Sequence, residues 1–202
     1  MKLACLDLEG VLVPEIWINV AERTGVPELR LTTRDIADYD ELMRYRIKLL
    51  DTNSISLADI QQVIGQLEPL VGAVGFLEWL RKHFQVVILS DTFYEFAMPL
   101  MAQLGYPTLM CHNLSVRDGQ ICGYRLRQEN SKREAVRAFH ELNFQVIAAG
   151  DSYNDTAMLA EADAGILFNP PPAVAAEFPQ FQVTTDYDQL REAFTTADAR
   201  TG

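Results

Sequence analysis

Long apolar runs are missing from this chain of 202 residues: 49% of it is apolar, yet no stretch reaches the roughly 18 residues that a membrane-spanning helix needs. The N-terminus also lacks the charged segment, apolar segment and small-residue cleavage site of an exported precursor. A soluble, cytoplasmic protein without membrane contact is the expectation. Cysteine is scarce as well. Cys5, Cys111 and Cys122 are odd in number and have no short paired spacing, which argues against a disulfide framework and a zinc site. His83, His112 and His140 show no metal-ligand spacing and read as structural. Positive charge is in deficit, with 17 Lys and Arg against 28 Asp and Glu, a net charge of -11. Nucleic acid is therefore not an expected partner, because a basic footprint supplies that affinity. The same balance repels a phosphorylated small molecule, so a phosphate site has to be built locally from a metal ion, Lys, Arg and helix N-termini. Nothing in the composition separates a monomer from a homodimer.

What is present begins with a short apolar run, Leu3-Ala4-Cys5-Leu6, that leads into Asp7, Glu9 and Gly10. An apolar run ended by polar residues and Gly fits a central parallel strand, and α/β sheets bind ligands beyond the carboxyl ends of their strands. Asp7 and Glu9 are two residues apart and share a face. Two acids held together repel each other unless a cation or proton intervenes, and hard oxygen ligands suit Mg²⁺.

The next stretch reads as helices without a convincing strand. Apolar residues recur at helical spacing from Ile16 to Gly25 and from Thr33 to Leu50, and Ser56 opens a helix through Leu67 that Glu68-Pro69 ends. An α/β pattern then resumes: a helix over 72–83, the strand Val86-Val87-Ile88-Leu89 ending in Ser90-Asp91-Thr92, and a helix from Phe93 to Leu104. Two strands around the Asp118-Gly119 turn form a hairpin, with Cys122 facing Ser115 and Cys111 facing Leu126. Ser131 caps a helix carrying Lys132, and Val146-Ile147-Ala148-Ala149 ends in Asp151, Asn154 and Asp155. A helix over 154–162, strand Ala164 to Phe168, a short helix, a strand near Phe181 to Thr184 and a last helix follow, with Ala197 to Gly202 as a frayed end. The fold class is thus α/β, a doubly wound, Rossmann-like parallel sheet with an inserted helical cap and a β-hairpin. Residues 1–14 and 71–202 make the core and 15–70 the cap.

Strand tips at Asp7/Glu9, Ser90 and Asp151/Asn154/Asp155, with Lys132 nearby, suggest phosphoryl transfer through an aspartyl phosphate on Asp7. Mg²⁺ would be held by Asp7, the Glu9 backbone carbonyl and Asp151, and Ser90 and Lys132 would donate to phosphoryl oxygens. Asn154 and Asp155 would orient those groups, and Glu9 would serve as general acid and then general base.

The four motifs resemble those of the haloacid-dehalogenase superfamily of phosphatases: Asp7-Leu8-Glu9-Gly10-Val11, Leu89-Ser90-Asp91-Thr92, Lys132, and Gly150-Asp151-Ser152-Tyr153-Asn154-Asp155. The insert after the first motif resembles the cap of the phosphoserine phosphatase branch, in which a Glu and an Arg hold the amino-acid end. Glu15 and Arg46 stand at the matching places. The resemblance is strongest to the subgroup that also transfers phosphate from phosphoserine to homoserine. It implies a phosphorylated amino acid as substrate, held by Glu15, Arg46, Ser90, Asp91, Thr92, Lys132 and Asn154, homoserine as a second acceptor, and a place in serine and threonine biosynthesis. Two residues depart from the family pattern: Glu9 replaces the usual Asp, and Asp91 the usual Gly. Phosphatase action on another small monoester is the alternative within this class. A signalling receiver domain fails on motif order, since it carries its phospho-acceptor on a later strand than its acid pair. An inactive phosphate-binding module fits poorly with the presence of every charged motif residue.

Overall fold

The computed structural model describes residues 1–32, 35, 36 and 38–201. The central sheet begins with β1 (Lys2–Leu6), whose side chains feed both faces. Ala4 and Leu6 enter one apolar cluster, and Leu3 and Cys5 enter the other. Burial on both sides explains why this strand is an unbroken apolar run rather than an alternating one. β5 (Gln145–Gly150) behaves likewise, with Ile147 and Ala149 on one face and Val146 and Ala148 on the other.

β2 (Gln85–Phe93), β3 (Thr108–Arg117), β4 (Gln120–Arg125), β6 (Ala164–Phe168) and β7 (Gln182–Thr184) complete a seven-stranded sheet of order β4-β3-β2-β1-β5-β6-β7. Among the described residues only the β3–β4 pair is antiparallel. β1 sits centrally, with the chain winding away from it on both sides, so its carboxyl end opens on the crevice where such sheets place their ligands. α4 (Ala73–His83) and α9 (Tyr187–Thr201) cover one face through Phe76 and Phe194, while α6 (Ser131–Glu141) and α7 (Thr156–Glu161) cover the other through Val136 and Leu159.

Between β1 and α4 lie α1 (Ile16–Thr24), a 3-10 turn (Pro27–Arg30), α2 (Tyr39–Thr52) and α3 (Leu57–Ile64). α1 stops at Gly25, whose positive φ of 71° suits glycine. Ser56 and Asp59 form a reciprocal capping box that starts α3. Ile16, Val20, Met43, Leu50, Ile60 and Ile64 join the same apolar cluster as Phe93 and Phe96, and the Trp17 and Phe96 rings meet edge to face at 5.3 Å. Among the described residues, no helix is long and apolar enough to cross a membrane.

Several local expectations need correction. The helix expected from Thr33 starts at Tyr39, because the Asp38 side chain accepts from the Glu41 N–H and fixes the first turn there; Thr33 itself lies outside the described residues. The second strand runs on through Ser90-Asp91-Thr92 to Phe93, with an irregularity after Leu89, so α5 spans only Tyr94–Met101. A bulge between Ser115 and Val116 shifts the hairpin register. Ser115 pairs with Gly123 instead of Cys122, and Leu126 lies beyond the ladder. Ser131 is the first residue of α6 rather than its cap, since Asn130 takes that place in a left-handed conformation. The last helix continues to Thr201 instead of fraying after Ala197. Lys2 ties it to β1 by pairing with the Asp198 carboxylate at 2.5 Å and donating to its carbonyl.

Candidate active site

Asp7 leaves β1 with its N–H donating to the Ala149 carbonyl, so its side chain emerges between β1 and β5. The chain then folds into a tight turn in which the Leu12 and Val13 N–H groups donate to the Leu8 carbonyl. Gly10 holds this turn with a φ of 77°, and a Cβ at Gly10 would come within 2.5 Å of the Asp151 carboxylate. Only glycine lets the loop and the acid approach this closely.

Lys132 is the electrostatic centre of the site. It is 5% exposed, and its ammonium lies 2.7 Å from Asp155, 2.9 Å from Asp7 and 3.4 Å from Asp91. Burial alone would depress its pKa, but Asp155, Asp7 and Asp91 raise it well above the usual lysine range, so it stays charged. Asp155 is fully buried and fully used. One oxygen accepts from Lys132, and the other accepts from the Asp151 and Ser152 N–H groups and the Ser152 hydroxyl.

One cation does not neutralise this many acids. Burial, the Asp155 charge and, more weakly, Asp151 push the Asp7 pKa well above the carboxylate range despite Lys132. Asp151 is pushed up to about 7 by burial, then by Asp155 and Glu15. Carboxylate oxygens of Asp7, Asp151 and Asp155 all lie within 4.8 Å of one another. Both Asp155 oxygens are already engaged, so the hard oxygens of Asp7 and Asp151, which hold protons too tightly, are the carboxylate donors open to a small divalent cation, and Mg²⁺ fits them.

Glu9 does not point at this cluster with both oxygens. Its Oε2 accepts from the Ile16 N–H at 2.8 Å, so the acid caps α1. Burial first and Glu15 second raise its pKa to about 7, while the bonds from Ile16 and Thr92 act in the opposite direction. Ser90 is buried at the end of the apolar part of β2, and its Oγ accepts from the Thr92 N–H at 3.2 Å. Asp91 is partly exposed and turned toward Lys132, and its Oδ1 accepts from the Ser131 hydroxyl at 3.3 Å and lies 3.6 Å from His112. Burial opposes its ionisation, but Lys132 and His112 outweigh that and hold it well below the usual carboxylate range.

Asp7, Glu9, Glu15, Arg46, Ser90, Asp91, Thr92, Lys132, Asp151 and Asn154 all line one cavity of about 400 Å³. Asp155 lies beneath it. Glu15 and Asn154 are exposed on the rim. Arg46 is 6% exposed and comes from α2, with its guanidinium 4.4 Å from the Trp17 ring centroid and one N–H donating to the Leu31 carbonyl at 2.7 Å. Its Nε has no hydrogen-bond partner among the described residues. Burial lowers its pKa to about 10, against the pull of Tyr39, Glu9 and Glu15. The sequence marks His112 only as structural and gives Trp17 no motif. Both touch site residues, and no periodicity or spacing marks either, because each meets its partner through a fold contact.

Comparison with known proteins gives a consistent picture. The family model described as haloacid dehalogenase-like hydrolase matches residues 15–160. The phosphoserine phosphatase ThrH of Pseudomonas aeruginosa is 59% identical over 201 residues, covering 99% of this chain and 98% of that protein. A phosphoserine phosphatase of Pseudomonas syringae pv. tomato is 59% identical over 201 residues, covering 99% of this chain and 85% of that protein. A solved phospho-aspartyl intermediate analogue of phosphoserine phosphatase shares the fold at a TM-score of 0.76 and 22% identity, covering 96% of this chain and 98% of that one.

Proposed function

The chain belongs to the haloacid dehalogenase-like hydrolases, and from that premise we propose that it hydrolyses phosphoserine through an aspartyl phosphate on Asp7 and also passes the phosphoryl group to homoserine. The observation that carries this reading is the cavity itself: Asp7 and Lys132 lie 2.9 Å apart in its lining, and Arg46, whose buried Nε has no hydrogen-bond partner among the described residues, lines it as well. The first pair suits a phosphoryl group and the second a carboxylate, with the Glu15 carboxylate on the rim for an ammonium.

In the first step an Asp7 oxygen attacks phosphorus, the ester P–O bond breaks, and the leaving alkoxide takes a proton from Glu9. A Glu9 pKa of about 7 lets it hold that proton near neutral pH. In the second step water, or the hydroxyl of homoserine, attacks the same phosphorus, Glu9 takes the proton back, and the bond to Asp7 breaks. Ser90 and Lys132 donate to the phosphoryl oxygens throughout. Mg²⁺ held by Asp7, the Glu9 backbone carbonyl and Asp151 would offset the negative charge that builds on those oxygens. Asp155 fixes Lys132 and the Asp151 loop in register for this work. Residues 15–70 act as the cap that carries Arg46 over the core formed by 1–14 and 71–202, and Thr92 and Asn154 complete the substrate wall.

Glu9 supports the transferase part. Its longer side chain reaches the Ile16 N–H, which ties the proton carrier to the first turn of the cap. The test follows free phosphate and phosphohomoserine from phosphoserine, with and without homoserine, in wild type and Glu9→Asp. The expected outcome is phosphohomoserine from wild type and a product ratio shifted toward free phosphate in Glu9→Asp. Absence of phosphohomoserine, with an unchanged ratio, would leave hydrolysis alone. Label trapped on a residue other than Asp7 would remove the mechanism, and faster turnover of a phosphosugar than of phosphoserine would favour another monoester as substrate.

A further inference from the structure

We infer that His112 is a positioning residue for the phosphate site: it anchors the Asp91 carboxylate beside Lys132 and keeps that charge out of the phosphoryl pocket. The inference rests on the reading that the phosphoryl group sits among Asp7, Ser90 and Lys132. Asp91 follows Ser90 directly and lines the same cavity. A carboxylate in that position repels a phosphate dianion unless something holds it aside.

Lys132, Ser131 and His112 hold Asp91, and Tyr39 lines the cavity beside it. Lys132 Nζ is 3.4 Å from Oδ2, the Ser131 hydroxyl is 3.3 Å from Oδ1, and His112 Nε2 is 3.6 Å from Oδ1. The imidazole is not free to turn. The Arg127 main-chain N–H donates to its Nδ1 at 3.0 Å, which makes Nδ1 an acceptor and places the proton of the neutral ring on Nε2, toward Asp91. His112 is 4% exposed, and it pairs with Phe93 across the β2–β3 ladder, next to the strand segment that carries Asp91. It also lines a second cavity of about 580 Å³ that shares Tyr39, Asp91, Lys132, Tyr153 and Asn154 with the site cavity. The ring therefore stands buried at the edge of the site beside Asp91, where a merely space-filling residue needs no oriented N–H.

Two substitutions separate the ring's two contacts. His112→Asn keeps an acceptor near the Nδ1 position for the Arg127 N–H and removes the donor toward Asp91. His112→Gln places an amide N–H near the Nε2 position. With full-length protein and Mg²⁺, KM and kcat are measured for phosphoserine and p-nitrophenyl phosphate, together with inhibition by inorganic phosphate. His112→Asn is expected to raise both KM values and the phosphate inhibition constant by a common factor of about tenfold, equivalent to about 1.4 kcal/mol, with kcat little changed. His112→Gln recovers most of that loss. In an Asp91→Asn background, His112→Asn changes nothing further, since no charge remains to be held aside. Equal effects of the Asn and Gln variants, or the same rise in KM in the Asp91→Asn background, would overturn the inference and leave His112 a packing residue. A wild-type chain that releases phosphate from neither ester would overturn the functional reading and this inference with it.

Discussion

Replacing Arg46 by Ala tests the proposal that the inserted helices form a cap that selects the substrate. Arg46 is 6% exposed, donates to the Leu31 carbonyl, lies over the Trp17 ring and has an Nε without a hydrogen-bond partner among the described residues. Truncating one partner of a buried, hydrogen-bonded charge pair costs about 2–5 kcal/mol. If a substrate carboxylate is that partner, kcat/KM for phosphoserine falls by about 30- to 5,000-fold. An aryl phosphate has no amino-acid end, so its kcat/KM should move only by the small change in cap packing. Loss of the Trp17 contact is worth about 1–2 kcal/mol of stability, which a melting curve records separately. Arg46→Lys keeps the charge without the planar fork and should fall between wild type and Ala on phosphoserine. Steady-state kinetics on both esters decide the matter. Equal losses on the two substrates would refute the reasoning, because Arg46 would then serve the phosphate or the cap's fold.

Asp151→Asn should stabilise the chelator-treated protein at pH 8 and do so clearly less at pH 5, which lies inside the window between the unfolded and folded pKa values. The Asp151 pKa is raised from 3.8 to about 7, so the folded state binds more protons than the unfolded one, and stability falls as pH rises through that window. Melting temperatures at the two pH values measure it, at about 2–4 °C per kcal/mol for a chain of this size, and a variant that melts lower at pH 8 would contradict it. Adding Mg²⁺ should raise the wild-type melting temperature most at the higher pH and have little effect on Asp151→Asn; equal shifts in both proteins would place the ion elsewhere. Gly10→Ala should lower kcat by at least about a hundredfold, because its Cβ would sit 2.5 Å from the Asp151 carboxylate and displaces it. Normal turnover with a normal melting curve would show that the loop yields without cost.

Much of the fold was legible because its causes are local. Period and punctuation suffice to mark β1, β5 and β6 as apolar runs and the stretch from Ile16 to Ile64 as helical. Chain order together with the rule for strand ends is enough to bring Asp7, Ser90 and Asp151 to one edge of the sheet, with Lys132 on the helix before β5. The ladder's bulge at Ser115 and Val116, the extension of β2 to Phe93 and the tie from Lys2 to Asp198 depend on partners far away in sequence, so no local pattern announces them.

The same division runs through the site. Which acids the chain possesses is a matter of sequence. How many of them share Lys132, and which way Asp91 turns, depends on the three-dimensional packing of β2, β3 and α6 around one buried ammonium. His112 carries no motif, and only the Arg127 N–H that orients its ring makes it a neighbour with a direction. The sequence by itself determined the order of elements and the chemistry available at their ends, because side-chain period and turn residues act over a few positions. Tertiary structure alone decided the Trp17 platform under Arg46, the capping of α1 by Glu9 and the raised pKa values of Glu9 and Asp151, because burial and charge proximity exist only once distant segments meet.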